Sequence, residues 1–228
     1  MRRSSIKQLF LIWCYLIAPA VPWAAQEAAT VDVHEVAKRV DERYNHLSTL
    51  RADFEENYQG GGMQRTASGT LWLKRPGKMR WEYLQPRHKL FISDGKRTFF
   101  YVFGENQARE ADVKNTDDLR SPLRYLLGKS KLEKEFEGLR VAPAVGAEAG
   151  TSTLVGRPRA LADRVEEVQL VINPASQIVR IVILALDGSR TEFRFHGLSE
   201  NPPATESLFR FSAPPGVQII RGEEAAGP

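Results

Sequence analysis

The sequence predicts a mainly β protein, with an antiparallel, strongly curved sheet and helices on one of its faces. Three observations support this fold class. Residues 69–95 read as three short strands separated by proline and Asp-Gly turns. Strand-like segments of this kind recur roughly ten times along the chain. No helix alternates with strands in the βαβ manner, and no internal repeat is present.

The middle strand of the 69–95 segment has the clearest alternation in the chain. Large apolar side chains occupy one face and charged side chains the other, as expected for a strand buried on one side. Leu71 and Leu73 give the preceding strand the same apolar parity. Such a wall either packs a core or lines an apolar cavity, and the residues alone leave both open. The apolar set is Met79, Trp81 and Tyr83, and the charged set is Lys78, Arg80 and Glu82.

One amphipathic helix is predicted before the sheet. Asp32 is its expected N-cap, and apolar residues recur at helical spacing from Val33 to Leu47. Leu50, Ala52 and Phe54 then share one face of the first strand. The remaining elements of this half are a strand over 50–58, a glycine turn at 60–62, the three strands of 69–95 and a strand over 96–103.

The second half begins with a polar stretch at 115–121 and a short helix that starts at Ser121-Pro122. Leu123, Leu126 and Leu127 form one apolar stripe on this helix, which ends at residue 128. The elements predicted after it are a polar helical turn within 129–138, a loose loop at 142–150, strands over 151–156, 165–173, 177–186 and 190–197, and a short strand pair at 209–211 and 217–220.

The N-terminus has the pattern of a secretory signal peptide over residues 1–25. Arg2, Arg3 and Lys7 precede a short apolar run and then small residues, so cleavage is expected between about residues 20 and 25. An uncleaved membrane anchor is the alternative. Cleavage would remove the sole cysteine, Cys14, and three of the 32 basic residues. With 28 acidic residues, a net charge near +1 would remain, which gives no basic field for nucleic acid. Residues 26–221 are then one domain, followed by a disordered tail at 222–228.

Motifs for catalysis, metal ions or cofactors are not apparent in the sequence. No G-x-S-x-G nucleophile motif is present, and the Gly128-Lys129-Ser130 tripeptide lacks the earlier glycine of a phosphate-binding loop. The sequence therefore predicts a protein that is not an enzyme and holds no cofactor. The four histidines lack metal-ligand spacing: His34, His46, His88 and His196.

Arg75 stands out because it shares strand parity with the apolar residues Leu71 and Leu73. A guanidinium on an apolar face is costly unless it finds hydrogen-bond acceptors. One interpretation is that Arg75 lies at the strand end and extends its charged group to solvent. The other is that it binds backbone carbonyls of a segment that covers the sheet, and so acts as a latch.

Several motifs together resemble the family of periplasmic outer-membrane lipoprotein carriers, the LolA family. The most specific is SGTLWLKRPGKMRWEY at 68–83, supported by YNHL at 44–47, LRADF at 50–54, SDGK at 93–96, FRF at 209–211 and PGV at 215–217. The resemblance implies an incomplete antiparallel β-barrel whose mouth is covered by a helical lid. It also implies a hydrophobic cavity for lipoprotein acyl chains.

The same resemblance implies roles for individual residues. Arg75 would latch the lid, and the lid would present Leu123, Leu126 and Leu127. Glu56 departs from the family pattern, in which a glutamine commonly follows the early phenylalanine by two. The residues implied to line the acyl-chain cavity are Met79 and Trp81, with Leu71, Leu73 and Tyr83 beside them on the same face.

The implied function is a monomeric periplasmic carrier that shuttles acylated lipoproteins from the inner to the outer membrane. Its donor would be the inner-membrane lipoprotein-releasing ABC transporter, and its acceptor an outer-membrane lipoprotein receptor. The alternative is a lipid- or lipoprotein-binding paralogue or sensor with a specialised cargo.

Overall fold

The computed structural model describes residues 32–113, 131–142 and 150–222. Over these residues the chain forms two α-helices, two short 3₁₀ turns (Arg159–Leu161 and Glu206–Phe209) and twelve strands. The helices are α1 (Val33–Asn45) and α2 (Leu132–Glu135). The strands are β1 (Thr49–Gly60), β2 (Met63–Lys74), β3 (Lys78–Gln85), β4 (Lys89–Asp94), β5 (Arg97–Val102), β6 (Gln107–Asp112), β7 (Phe136–Ala142), β8 (Ser152–Pro158), β9 (Val165–Ile172), β10 (Ile178–Ala185), β11 (Arg190–Glu200) and β12 (Gln218–Arg221).

All twelve strands belong to one open, curved sheet. Their order is β12-β6-β5-β4-β3-β2-β1-β11-β10-β9-β8-β7, so β12 and β7 are its two edges. Every pairing is antiparallel except that of β12 with β6, which is parallel. The predicted fold class, mainly β with an open antiparallel sheet and few helices, is confirmed.

Helix α1 forms where the sequence predicts it. The Asp32 side chain accepts a hydrogen bond from the backbone N–H of His34 and so caps the first turn. Four residues at helical spacing are buried against the sheet: Val36, Ala37, Val40 and Tyr44. Burial of this stripe, rather than intrinsic helix propensity, is what stabilises a helix of this length.

Glycines are required at two places in strands β1 to β3: the β1–β2 turn and the contact between β2 and β3. Gly61 and Gly62 adopt positive φ angles of 56° and 74° in the turn between β1 and β2, where other residues are strained. At Gly69 the strands β2 and β3 approach so closely that a Cβ atom would lie 1.9 Å from the backbone oxygen of Glu82. Only glycine therefore fits at position 69, where the β2–β3 register also shifts.

The two faces of the sheet bury different sets of residues. We call the inner face the one that packs against α1 and carries the main apolar cluster, which includes Leu50, Phe54, Leu71, Trp81 and Phe193. We call the opposite one the outer face. On the outer face of β4 and β5, the buried side chains are Leu90, Ile92, Phe99 and Tyr101.

The C-terminal segment crosses the outer face of β4 and β5. The ring of Phe211 stacks on Phe99 at a centroid distance of 5.2 Å, and Phe209 is fully buried nearby. The prediction of a strand at 209–211 is therefore wrong. Phe209 ends a 3₁₀ turn and the next two residues are irregular, and the rings of Phe209 and Phe211 cover the sheet. The strand predicted at 217–220 is present as β12, but it pairs with β6.

Two strands, β6 and β7, were not predicted, because their sequences QAREAD and FEGLRVA lack a run of β-branched or aromatic residues. The helical turn predicted within 129–138 is present as α2. Several predictions lie outside the described residues: the signal peptide, the 121–128 helix, the inner part of the 142–150 loop and the tail from residue 223. Within the described ranges, no helix combines the length and the apolarity needed to cross a membrane.

The C-terminal segment is also tied to the sheet by charge, and this predicts an acid-sensitive contact. Glu206 forms ion pairs with Lys74 and Lys78. Their hydrogen bonds lower the pKa of the Glu206 carboxyl from 4.5 to about 2. A lowered folded-state pKa adds stability above pH 4.5, and this stability is lost as the pH falls toward about 2.

We therefore expect Glu206→Gln to be less stable than the wild type at neutral pH by a small amount, because the carboxylate is exposed. The difference should shrink between about pH 4.5 and pH 2, as measured by urea unfolding at each pH. A difference that stays constant across this range would show that the ion pairs do not act in the folded state.

Candidate functional site

The inner face of strands β2 to β5 is lined by one continuous row of apolar side chains. Leu71 lies opposite Trp81, Trp81 opposite Phe91, and Phe91 opposite Phe100. Residues opposite each other in an antiparallel sheet point to the same face, so the four side chains form a strip across four strands. Leu71 and Trp81 are fully buried, and Phe100 is only partly buried.

Four aromatic rings form the centre of this face. Phe54 meets Trp81 edge to face at a centroid distance of 4.8 Å and Tyr83 at 5.1 Å. Phe193 from β11 also meets Trp81 edge to face, at a centroid distance of 5.4 Å. Rings in this arrangement are held rigidly and give a large apolar surface with few rotatable bonds.

The structure brings the five predicted cavity residues to the inner face. Leu71, Leu73, Trp81 and Tyr83 are buried in the main apolar cluster, and Met79 packs against it while remaining partly exposed. The alternating charged residues lie on the outer face, where Lys78 pairs with Glu206 and Arg80 with Glu82. The register also assigns the neighbouring strands: Phe91 and Phe100 are on the inner face, and Phe99 and Tyr101 are on the outer face.

The Arg75 side chain binds the C-terminal end of α1. Its Nη1 donates to the backbone oxygen of Asn45 at 2.7 Å, and its Nη2 donates to that of Tyr44 at 2.6 Å. The Arg75 backbone N–H donates to the oxygen of Ser48. A cation at the C-terminus of a helix satisfies carbonyls that have no partner within the helix. Arg75 thus joins the β2–β3 turn to a helix that covers the inner face.

Tyr44 fixes the same end of α1 to strand β10. Its hydroxyl accepts a hydrogen bond from the backbone N–H of Ile178, at the start of β10. Burial raises the pKa of Tyr44, so the phenol stays protonated at physiological pH. The helix end is therefore held between β10 and the residue that follows β2.

Side chains from the middle and the start of α1 form hydrogen bonds with α2. The Asp41 carboxylate accepts the backbone N–H of Leu132 through both oxygens, at 3.2 and 3.1 Å. His34 Nδ1 lies 3.0 Å from a carboxylate oxygen of Glu133, and this hydrogen bond raises the pKa of His34. The predicted lid residues Leu123, Leu126 and Leu127 lie outside the described residues, and α2 follows them in the chain.

Glu56 also lies on the inner face, although it is not among the predicted site residues. Its carboxylate accepts a hydrogen bond from the hydroxyl of Tyr83, at 2.7 Å, and the residue is only 8% exposed. The signal was available, because Glu56 continues the parity of Leu50, Ala52 and Phe54 along β1. Among the described residues, no three histidine, cysteine or acidic side chains come together as a metal-binding set.

Comparison with known proteins identifies the family to which this arrangement belongs. The family described as outer membrane lipoprotein carrier protein LolA matches residues 45–212, a range that contains the four aromatic rings, Glu56 and Arg75. The chain belongs to the LolA family. The resemblance seen in the sequence motifs is therefore confirmed.

Relatives in this family match across most of the chain. An outer-membrane lipoprotein carrier protein of Nitrosospira multiformis is 31% identical over 177 residues, which cover 75% of this chain and 82% of the relative. The carrier protein of Bordetella avium is 28% identical over 225 residues, which cover 97% of this chain and 100% of the relative.

A solved structure shares the fold. An uncharacterized conserved protein from Thermus thermophilus matches with a TM-score of 0.53 and 17% sequence identity, covering 82% of this chain and 98% of that protein. At this identity the similarity bears on the fold alone.

Proposed function

We propose that this LolA-family protein is a periplasmic carrier that binds the acyl chains of lipoproteins on its inner face and shuttles them from the inner to the outer membrane. The observation that carries the proposal is the family match over residues 45–212, which spans the entire apolar row from Leu71 to Phe100. Relatives that match this chain are named outer-membrane lipoprotein carrier proteins. The predicted signal peptide at residues 1–25 would direct the protein to the periplasm.

An apolar inner face meets the main physical need of such a carrier. Each CH₂ group of an acyl chain that is shielded from water contributes about 0.8 kcal/mol. A chain of about sixteen carbons therefore costs on the order of 12 kcal/mol to expose. The strip of aromatic and aliphatic side chains on β2 to β5 is a surface on which such chains can be buried.

Release requires that the empty protein also be stable. We propose that α1 and the leucine stripe of the predicted lid cover the inner face when no cargo is bound, and that Arg75 holds this cover through the carbonyls of Tyr44 and Asn45. Cargo must displace the cover, which lowers its net affinity. An acceptor of higher affinity can then take the cargo without an energy source in the carrier.

The proposed partners follow from this cycle. An inner-membrane lipoprotein-releasing ABC transporter would be the donor, and an outer-membrane lipoprotein receptor would be the acceptor. We propose that the carrier acts as a monomer and catalyses no reaction. A paralogue or sensor with a specialised cargo is the second candidate, and it is favoured by one observation, the carboxylate of Glu56 on the apolar face.

The test is release of a lipoprotein from membranes by the purified protein. Spheroplasts that make a tagged, acylated outer-membrane lipoprotein are incubated with the carrier, and the soluble fraction is analysed by size exclusion and mass spectrometry. We expect a soluble complex with one lipoprotein per carrier. If the lipoprotein stays on the membrane while the protein takes up free lipids, the carrier function is wrong and the second candidate holds.

A further inference from the structure

Three arginine side chains surround one carboxylate on strands β10 and β11. Arg190 Nη2 and Arg194 Nε donate to different oxygens of the Glu192 carboxylate, the latter at 2.6 Å. Arg180 Nη1 lies 3.9 Å from the oxygen that Arg194 binds. The Glu192 side chain is only 6% exposed, whereas the three arginine side chains are between 32% and 52% exposed. The carboxylate is therefore shielded from solvent, while the arginines remain accessible. We call these four residues the Glu192 cluster.

Strand register places the Glu192 cluster on the outer face of the sheet. Phe193 belongs to the apolar cluster of the inner face, so its neighbours Glu192 and Arg194 point to the outer face. Arg190 has the same parity as Glu192 along β11. Arg180 is directly opposite Arg194, and residues opposite each other share a face. The Glu192 cluster is therefore separated by the sheet from α1 and from the surface proposed to bind acyl chains.

The Glu192 cluster carries more positive than negative charge. Three guanidinium groups share one carboxylate, so two positive charges have no ion-pair partner among the described residues. Glu55 on β1 is directly opposite Arg194, but its carboxylate accepts from Asn57 and forms no ion pair within the described ranges. The excess positive charge is therefore left to solvent in the isolated protein.

The pairing of Arg180 with Arg194 is unfavourable for the sheet itself. Like charges on directly opposite residues destabilise a β-sheet, and the single carboxylate of Glu192 compensates them only in part. By contrast, Arg140 of β7 pairs one to one with Glu167 of β9. Local arrangements that oppose folding are typical of functional sites. The excess charge therefore indicates an anionic group that binds from outside the protein.

We propose that the Glu192 cluster is a docking site for an acidic segment of a partner protein. Two uncompensated charges match a segment with at least two carboxylates, and guanidinium groups bind carboxylates through paired, charge-assisted hydrogen bonds. Glu192 holds the arginine side chains in place, so less conformational entropy is lost when the segment binds. The inference goes beyond the proposed function, because a partner docked on the outer face leaves the inner face free for cargo.

An anionic bilayer is a poorer match for the Glu192 cluster than an acidic protein segment. Attraction to anionic lipids generally takes about four to eight basic residues close together, and the cluster has three arginines and one glutamate. Its arginines are also held in place by Glu192, which suits directed hydrogen bonds more than a diffuse surface potential. Anionic vesicles are nevertheless one arm of the test.

The test measures binding of a fluorescently labelled acidic peptide to the purified protein by fluorescence anisotropy. The peptide alternates glutamate with threonine, and a matched peptide has glutamine in place of every glutamate. We expect the wild type to bind the acidic peptide at least about tenfold more tightly than the glutamine peptide at low ionic strength. The ratio of the two Kd values should fall as salt is added, because salt screens exposed charges.

Two double variants with the same net charge separate the cluster from the overall charge of the protein. Arg180→Gln/Arg194→Gln removes the two opposed arginines, and affinity for the acidic peptide should fall at least about tenfold. Arg87→Gln/Arg140→Gln removes two arginines that pair one to one with glutamates, and should leave this affinity unchanged. Thermal unfolding of each variant checks that it is folded.

Stability gives a second readout, which a purely structural role would move in the opposite direction. Arg180→Gln relieves the repulsion of Arg194, and Glu192 keeps the two arginines that donate hydrogen bonds to it. We therefore expect its urea midpoint to equal or exceed that of the wild type. If the cluster served only the fold, loss of Arg180 would lower the midpoint.

The outcomes of these experiments are distinct. The docking site is overturned if the wild type binds both peptides equally or neither, or if folded Arg180→Gln/Arg194→Gln binds the acidic peptide as the wild type does. A lower urea midpoint for Arg180→Gln assigns the cluster to the fold and also overturns the proposal. Phosphatidylglycerol vesicles that displace the acidic peptide, and do so only when both arginines are present, would replace the protein segment by a bilayer. Each of these results leaves acyl-chain binding on the inner face untouched.

Discussion

Trp81→Glu is expected to abolish acyl-chain binding and to lower the free energy of unfolding by about 3–5 kcal/mol. Trp81 is fully buried and contacts the rings of Phe54 and Phe193, at centroid distances of 4.8 and 5.4 Å. The substitution removes the central ring of the inner face and puts an unpaired carboxylate in its place. Displacement of a fluorescent fatty acid measures binding, and urea unfolding measures stability. Wild-type binding by a folded variant would place the acyl chains elsewhere.

Met79→Glu separates binding from folding. Met79 is on the same face and packs against the apolar cluster, but it is only partly buried, so a carboxylate there can remain hydrated in the empty protein. Acyl chains would cover that carboxylate, and we expect affinity to fall at least about tenfold with little loss of stability. Leu84→Glu is the control, because Leu84 is 48% exposed and follows the outer-face parity of β3.

Arg75→Leu is expected to retain cargo and to transfer it at least about tenfold more slowly. The variant leaves the carbonyls of Tyr44 and Asn45 without the guanidinium, at a cost of about 1–3 kcal/mol for each buried group. The covered, empty state is thereby destabilised relative to the loaded state, and a two-state equilibrium shifts toward the loaded one. Transfer from the carrier to liposomes that contain the acceptor measures the rate.

A local probe accompanies the transfer assay for Arg75. Hydrogen exchange of backbone amides at residues 44–48 should be faster in Arg75→Leu than in the wild type, because Arg75 holds the end of α1. Arg75→Lys should be intermediate, since it keeps the charge but loses the two-pronged geometry. Wild-type transfer together with faster exchange would leave Arg75 as an anchor of α1 and refute the latch.

The strands around residue 81 could be predicted because one face is buried and the other is solvated. That difference produces a period of two in the sequence, from which β3 to β5 and their turns follow with bounds close to those observed. Strand β2 begins at Met63, six residues before the predicted start, because its first four residues are exposed and lack the apolar alternation. β6 and β12 could not be paired from the sequence. They are more than a hundred residues apart, and their parallel register depends on where the C-terminal segment crosses the sheet.

The inner face could be predicted as a set, but its polar contacts could not. Parity placed Leu71 and Leu73 on one side of β2, and Arg75, directly after the strand, on the same side. The acceptors of the Arg75 guanidinium depend on tertiary packing, since they belong to α1, thirty residues earlier. Glu56 had the right parity as well, but a single acidic residue gives no pattern in the sequence. Its place on the inner face is recognised only from the structure, in which the Tyr83 hydroxyl donates a hydrogen bond to its carboxylate.

Photocrosslinking tests the central claim, acyl-chain binding on the inner face, most directly. A lipoprotein with a photoreactive group at the end of one acyl chain is bound to the carrier, irradiated and digested, and the labelled residues are identified by mass spectrometry. The proposed function predicts labels on inner-face residues such as Met79 and Phe100, and none on the alternating residues Trp72 and Leu84. Labels concentrated on Trp72 and Leu84, or spread equally over both sets, would contradict it.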